Sequence, residues 1–279
     1  MSSSFSEKDP FSPINYTYSD VLEIFNEESQ FQKIQVFEHP FFGRMLVLDG
    51  VIQFTSRDEF FYHEMLVHPA MFTHPQPREI IIIGGGDGGS VREVLKHPQI
   101  DSVTLVEMDI KVIEVCQEFF PKISAGFHDK RVKIVSQDGL EYLENESFGF
   151  DVAIVDSTDP IGPAKNLFSE RFYSLIEKNL TNDGVFVTQS ESLFFHLPHV
   201  IKVQQNLKKL FHLSYCYTQA LATYAGNWWT FSIASKRYDP RKILRQINGE
   251  FKYYSPEVHT RAFLSDSIQN ALVSGKLDW

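Results

Sequence analysis

The sequence predicts an α/β protein, a doubly wound and mostly parallel sheet preceded by a small antiparallel β domain, and three observations predict it. From Arg78 onward, short apolar runs of strand length alternate with amphipathic helical segments, the pattern of a sheet wound from βα units. The first of those runs ends in a glycine cluster, Gly84 to Gly89. Before residue 60 the period differs, with short alternating runs separated by hairpin-type turns. At 279 residues the chain is long for one ordinary domain and short for two. The expected division is an N-terminal β-hairpin domain over residues 1–60 and a larger α/β domain over 61–279 that carries the chemistry.

The N-terminal runs are Asn15 to Tyr18, Val21 to Asn26, Gln32 to Glu38 and Arg44 to Thr55, with Pro40-Phe41-Phe42-Gly43 and Asp49-Gly50 where turns would fall. Asp58 to Phe72 reads as a helix with Asp58 as its cap. Beyond it the expected strands are Glu79 to Ile83, Ser102 to Glu107, Val132 to Val135, Asp151 to Val155, Gly184 to Gln189, Leu213 to Gln219 and Trp228 to Ser235. Helices fit Ser90 to Lys96, Ile110 to Phe119, Ser169 to Leu180 and His199 to Phe211. Ligands of such sheets bind beyond the carboxyl ends of the strands, so the residues that follow each strand are the functional candidates.

Composition narrows the partners. With 26 Lys and Arg against 36 Asp and Glu, the net charge is −10 at pH 7, which argues against a nucleic-acid partner. Apolar residues at 43%, together with 25 Phe, 11 Tyr and 3 Trp, exclude wholesale disorder. The two cysteines, Cys116 and Cys216, form no CxxC pair, and the N-terminus shows no basic segment followed by an apolar one. That combination predicts reduced thiols and a cytoplasmic location. No run reaches the length of a membrane span, so no membrane partner is expected.

At the strand ends the sequence becomes specific. Gly84, Gly86 and Gly89 satisfy GxGxxG, a spacing that lets the backbone turn tightly and approach a nucleotide ligand. Asp87 lies inside this loop, where its carboxylate would repel a pyrophosphate and attract a cation, so the expected ligand is not a dinucleotide. Glu107 ends the second strand twenty residues after Asp87, where a carboxylate can accept from both ribose hydroxyls. Asp138-Gly139 follows the third strand, in reach of an adenine amino group. Three acids at three successive strand ends point to adenosine held without phosphates. The fourth strand ends in Asp156-Ser157-Thr158-Asp159-Pro160-Ile161-Gly162-Pro163. Elsewhere, two carboxylates three apart before prolines would be a stiff Asx-type loop. Beside Asp87 they read as a cluster for a polyamine or another multiply charged cation.

The segments Gln32-Lys33-Ile34, Leu48 to Gln53 (LDGVIQ), Arg57 to Phe60, Tyr62 to Met65 (YHEM), Gly84 to Gly89 (GGGDGG), Val106 to Asp109, Asp138-Gly139, Asp156 to Ala164 (DSTDPIGPA) and Trp229 to Ser235, in that order, resemble the polyamine aminopropyltransferases, and most closely the spermidine synthases. The resemblance spans roughly residues 15 to 240. It implies a Rossmann-like fold of the class I methyltransferase type and transfer of an aminopropyl group from decarboxylated S-adenosylmethionine to putrescine, giving spermidine and 5'-methylthioadenosine. Residue by residue, it implies Asp156 as the base that takes the amine proton. Asp87, Asp159, Tyr62 and His63 would line the amine and aminopropyl site, with Gln189 and Tyr224 as further contributors. Gln32, Gly84, Gly85, Gly86, Glu107, Asp138, Gly139 and Pro163 would hold the adenosyl part. The resemblance also implies that the segment from Ser157 to about Phe168 gates the substrates and that the N-terminal β domain helps build a homodimer or homotetramer. Unpaired edges in such a β unit also argue against a lone monomer. One departure stands out: where relatives often read Thr-Tyr-Pro-Ser-Gly, this chain has Thr223-Tyr224-Ala225-Gly226-Asn227. The preferred amine therefore stays open among putrescine, agmatine, cadaverine and spermidine.

The implied chemistry asks for these residue types. Donor and acceptor are both cations, and like charges about 4 Å apart repel by about 4 kcal/mol at an effective dielectric near 20, so the site needs several anions. Asp87, Asp156 and Asp159 supply them. The carboxylate of undecarboxylated S-adenosylmethionine would meet Asp87, a penalty worth about a hundredfold or more in discrimination. In-line displacement of a neutral thioether needs no metal and no cofactor, the donor being a co-substrate. Two other readings stand beside this one, an S-adenosylmethionine-dependent methyltransferase and a non-catalytic polyamine or adenosyl-ligand binding protein. The sequence offers no zinc signature: His63 and His68 are five apart and do not share a helix face as HExxH requires. His196 and His199 around Pro198 read as a helix entry. Phe119, Phe120, Phe127, Phe194 and Phe195 read as core or oligomer contacts.

Overall fold

The computed structural model describes residues 3–9, 11–145, 149–160, 162–224, 226–246 and 248–279, less the side chains of residues 162 and 163. Five strands, β1 (Ser3–Lys8), β2 (Asn15–Glu28), β3 (Lys33–His39), β4 (Gly43–Leu48) and β5 (Val51–Thr55), form an antiparallel sheet in chain order. Asp49 and Gly50 both take positive φ, 49° and 83°, the two-residue turn whose twist suits a hairpin. Asn15 to Tyr18 and Val21 to Asn26, expected as separate runs, are one strand. The interruption between them is a bulge at Asp20, φ 60°, opposite the register shift at Ser3/Ser4. β1 itself has no counterpart in the expected strands, because its one large apolar residue, Phe5, leaves no alternation to detect.

α1 (Glu59–Thr73) links this sheet to the second one. Every residue from Tyr62 to Thr73 is buried, so the helix lacks the polar stripe of a surface helix. Pro69 inside it cannot donate to the carbonyl of Met65, and the Tyr217 hydroxyl donates to that carbonyl instead, at 2.7 Å. Asp58 occupies the cap position but does not cap. Its carboxylate accepts from the hydroxyls of Thr55 (2.6 Å) and Thr223 (2.9 Å), tying the first sheet to a loop of the second domain.

The second sheet contains β6 (Glu79–Gly84), β7 (Ser102–Glu107), β8 (Val132–Ser136), β9 (Phe150–Asp156), β10 (Leu180–Ser192), β11 (Leu213–Ala220) and β12 (Trp228–Ser235), in the order β11-β12-β10-β9-β6-β7-β8. β12 runs antiparallel to both neighbours and the remaining pairs are parallel, in keeping with the expected mostly parallel sheet. The winding reverses between β6 and β9, which leaves a crevice at their carboxyl ends. There Gly84 pairs in register with Asp156. Helices α2 (Gly89–Leu95), α3 (Ile110–Phe119), α4 (Gly139–Asn145), α5 (Glu170–Asn179) and α6 (Leu197–Leu210) follow the strands, and α7 (Pro256–Ala262) and α8 (Asp266–Ser274) close the chain. Ile80, Ile82, Val152, Ile154, Val185 and Val187 make one core with α1, and Ile81, Ile83, Ala153, Val155 and Phe186 face the opposite layer, the two-sided burial of a parallel sheet. Among the described residues no helix is long and apolar enough to cross a membrane. Both cysteines are free and buried.

Candidate active site

The carboxyl ends of β6 to β9 and the underside of the N-terminal sheet enclose a cavity of about 550 Å³. Its floor is the glycine loop. Gly84 and Gly85 take φ of 78° and 71°, and a Cβ on Gly84 would lie 2.2 Å from the Asp156 carbonyl oxygen, so only glycine fits where β6 and β9 part. That carbonyl accepts from the Gly85 N–H at 2.7 Å. Gly86 leaves room for the Glu107 carboxylate, which a Cβ would approach to 3.0 Å.

Gln32, Glu107, Asp138 and Gly139 line one end of the cavity. Gln32 reaches it from the turn before β3 and is held by Asp109, whose Oδ2 accepts from its amide at 2.9 Å and from the Ser29 hydroxyl at 2.6 Å. Asp109 also caps α3 through Lys111 N–H. It is the clasp between the two domains at this end. Burial pushes the Glu107 carboxyl up to about 7, with Asp109 nearby adding to the effect against its backbone hydrogen bonds. Asp138 does a second job beyond facing the cavity: its Oδ1 accepts from Leu140 and Glu141 N–H at 2.9 and 3.0 Å and caps α4. Gly139 is required by packing, since a Cβ would meet Ile83 at 2.4 Å. The side chain of Pro163 lies outside the described residues.

In the middle sit Tyr62, His63, Asp87 and Asp156. Both Asp156 oxygens have donors, the Tyr62 hydroxyl at 2.9 Å and the Ser90 hydroxyl at 2.6 Å. Burial, then the charge of Asp87, raises the Asp156 carboxyl to about 6, while His63 and the two hydroxyls pull the other way. His63, Asp87 and Asp156 each bring a ligand atom within 4.8 Å of the others, close enough for a metal ion on distance alone. A metal, however, needs an imidazole lone pair. His63 has Nδ1 2.7 Å from Glu59 and Nε2 3.2 Å from Asp87, so each nitrogen faces a carboxylate as a donor. The trio suits an organic cation.

At the other end Asp159, Gln189 and Tyr224 line the cavity. Gln189 is turned towards its own strand, donating to Glu191 at 3.2 Å and accepting from Glu191 N–H at 2.9 Å. The Tyr224 hydroxyl donates to the Gln53 carbonyl, and its ring rests edge-on against Trp229, centroids 4.6 Å apart. Ala225 lies outside the described residues, but Asn227, where relatives often carry glycine, takes φ 54°. Asparagine tolerates that region, and Leu221 N–H still reaches its carbonyl at 3.0 Å.

Three further side chains, Glu7, Asp9 and His196, line this end with Glu191 buried behind them, and the sequence offers little sign of the four. Glu7 and Asp9 arrive from β1 and the residue beyond it, and Glu191 and His196 lie past the expected end of β10. Glu191 is fully buried at φ 72°, a costly conformation for a non-glycine residue that points to a site. His196 does stand at the entry to α6, with Nδ1 2.8 Å from Glu191 and Nε2 3.2 Å from Asp9. Burial, followed by Glu191 and then Glu7 and Asp9, pushes the Asp159 carboxyl well above its ordinary value, and burial lifts Glu7 to about 7.

Residues 59–244 match the family model described as the spermine/spermidine synthase domain, and residues 5–56 match the spermidine synthase tetramerisation domain. A polyamine aminopropyltransferase of Hydrogenobaculum sp. (strain Y04AAS1) is 45% identical over 275 residues, covering 99% of this chain and 98% of that protein. Polyamine aminopropyltransferase 1 of Aquifex aeolicus (strain VF5) is 46% identical over 272 residues, with 98% and 97% covered. A crystal structure of spermidine synthase in complex with the transition state analogue AdoDATO superposes with a TM-score of 0.91 at 36% identity, covering 97% of this chain and 94% of that one. Spermidine synthase from Thermotoga maritima gives 0.89 at 35%, with the same coverage. With both of its domains matched and a relative at 45% identity along nearly its whole length, the chain belongs to the spermine/spermidine synthase family, whose members here are polyamine aminopropyltransferases.

Proposed function

We propose that this aminopropyl-transferring enzyme moves the aminopropyl group of decarboxylated S-adenosylmethionine to putrescine, giving spermidine and 5'-methylthioadenosine, with Asp156 as the base. The observation that carries the proposal is the convergence of Asp87, Asp156 and Asp159 in one cavity whose two ends differ in character. The Gln32–Glu107–Asp138 end suits an uncharged nucleoside offering ribose hydroxyls and an adenine amino group. The acid-rich end suits a diamine.

In this reading the amine nitrogen attacks the propyl carbon attached to sulfur. The carbon–sulfur bond breaks with its electron pair going to sulfur, and the amine proton passes to Asp156. An ammonium has no lone pair, so the proton must leave before or during attack. A carboxyl held at about 6 is ionised at neutral pH yet more basic than an ordinary aspartate. Burial also disfavours the ammonium, which brings the two proton affinities together. The cavity walls align nucleophile, carbon and leaving sulfur, and alignment supplies much of the rate. The reaction as drawn calls for neither metal nor cofactor.

The tetramerisation-domain match supports a homo-oligomer, and we propose a tetramer acting in the cytoplasm, where both buried thiols stay reduced. The deciding experiment incubates purified protein with decarboxylated S-adenosylmethionine and, separately, putrescine, agmatine, cadaverine and spermidine, then reads products by mass. Spermidine from putrescine is the expected main product. Turnover of S-adenosylmethionine itself, or full activity in Asp156→Asn, would overturn the reading.

A further inference from the structure

Behind the candidate active site a chain of charged groups runs inward from α2 to the glycine loop. Arg92 donates from Nη1 to Glu59 Oε1 at 2.9 Å and from Nη2 to Oε2 at 2.8 Å, a bidentate pair. Glu59 Oε2 lies 2.7 Å from His63 Nδ1, and His63 Nε2 lies 3.2 Å from Asp87 Oδ1. Glu59 and His63 are one turn apart on α1, so helix geometry alone makes them neighbours. The ring can occupy its place only because residue 89 is glycine, since a Cβ there would stand 2.3 to 2.5 Å from three ring atoms.

We infer that Glu59 and Arg92 are positioning residues that hold His63 as a fixed imidazolium against Asp87, and so keep the neighbouring Asp156 ionised for its work as base. The inference rests on the reading of Asp156 given above. Its logic is a charge count. His63 is faced by Glu59 from its own helix, by Asp87 from the glycine loop and by Asp156 from the end of β9. Asp156 is faced in addition by Tyr62, Ser90 and Tyr224. Arg92 neutralises Glu59 and also meets Glu93 at 2.8 Å, and Glu93 is shared with Lys96 and His68. With Glu59 already paired, the imidazolium is, among the described residues, the cation in contact with Asp87 that also acts on Asp156. Without it, the buried Asp156 carboxylate and the partly buried Asp87 carboxylate would face each other and one would keep a proton. The directions of proton affinity agree. Burial alone would lower His63, but Asp87 and Glu59 outweigh it, and His63 and Arg92 outweigh burial to hold Glu59 at about 2.

The test combines histidine-selective ¹⁵N NMR of the full-length protein with pH–rate profiles. The His63 resonances are assigned by their loss in His63→Gln. In the wild type both ring nitrogens are expected to stay protonated above pH 8. In Glu59→Gln the ring is expected to titrate near its ordinary value, and the acid limb of kcat/KM to move up by about one pH unit, a loss of about fivefold at pH 6 that approaches about tenfold at lower pH. Arg92→Lys, which keeps charge but not the bidentate geometry, is expected to move the limb less than Arg92→Gln. A neutral His63 in the wild type at pH 7, or an unmoved limb in Glu59→Gln, overturns the inference. A role confined to packing would lower stability and yield without moving the limb. Should Glu59→Gln fail to fold, the wild-type titration and the Arg92 pair still decide. Should the wild type transfer no aminopropyl group, the functional reading fails while the NMR arm continues to test the relay.

Discussion

The Tyr62 hydroxyl stands 2.9 Å from Asp156 Oδ1, joining a helix of the domain junction to the end of a central strand ninety-four positions later. This hydrogen bond favours the charged carboxylate. Removing it in Tyr62→Phe is expected to raise the Asp156 pKa by about one unit and so lower kcat/KM by about fivefold at pH 6 and about twofold at pH 7, with the acid limb shifted upward. Steady-state kinetics across pH checks this. A change in KM alone, with kcat intact at every pH, would contradict it.

Glu191, buried behind the acid-rich end of the cavity, faces Asp159 and His196, which line it. If that end receives the distal ammonium of the acceptor, Glu191→Gln should raise the KM for putrescine by about tenfold, the equivalent of about 1.4 kcal/mol. The KM for the sulfonium donor, held at the other end, should change by less than about twofold. Equal losses for both substrates would mean that Glu191 supports the fold and reads no substrate.

Glu7 accepts from the Ile52 N–H at 3.3 Å in a buried setting that raises it to about 7. The unfolded chain releases this proton near pH 4.5 and the folded chain near pH 7, so between those values folding takes up a proton and stability falls as pH rises. Glu7→Gln keeps the acceptor and loses the ionisation. Its Tm relative to the wild type should therefore increase from pH 5 to pH 8. Thermal unfolding at several pH values measures this difference, and a difference that shrinks with pH would reverse the assignment.

Glu64 belongs to the same YHEM segment as Tyr62 and His63 but turns away from the cavity. Fully buried, it accepts from the N–H groups of Lys252, Tyr253 and Tyr254 at 2.8, 2.9 and 2.8 Å. Glu64→Ala should cost about 3 to 5 kcal/mol, because it leaves buried donors unpaired. Hydrogen exchange should rise first at residues 252–254. Loss of activity with that segment still protected would place Glu64 in the chemistry instead.

Sequence patterns carried the central sheet well, and the reason is physical. Strands buried on both faces read as uninterrupted apolar runs, and β7, α3 and β12 begin and end at the expected residues. The acids Asp87, Glu107, Asp138 and Asp156 were legible because a doubly wound sheet gathers its strand ends at one edge. Glu7 and Asp9 were not, since β1 is mostly small and polar and its pairing with β2 depends on tertiary context. Glu191 and His196 were hidden for another reason: β10 runs three residues beyond Gln189, through a backbone conformation that no side-chain pattern announces. Ser90, at the start of α2, looked like an ordinary helix residue and instead holds Asp156. The later helices α7 and α8 are short, and their serine caps, Ser255 and Ser265, were the available signal.

The N-terminal sheet matched by the tetramerisation-domain model is also the sheet that supplies Glu7, Asp9 and Gln32 to the cavity. The stretch matched by that model is therefore also a wall of the cavity, and a substitution there can act on the pocket directly. A chain trimmed to begin at Asn15 would keep the glycine loop, Glu107 and Asp156, yet its pocket would lack the wall that β1 builds. Any cut that removes this sheet would therefore open the pocket at the same stroke.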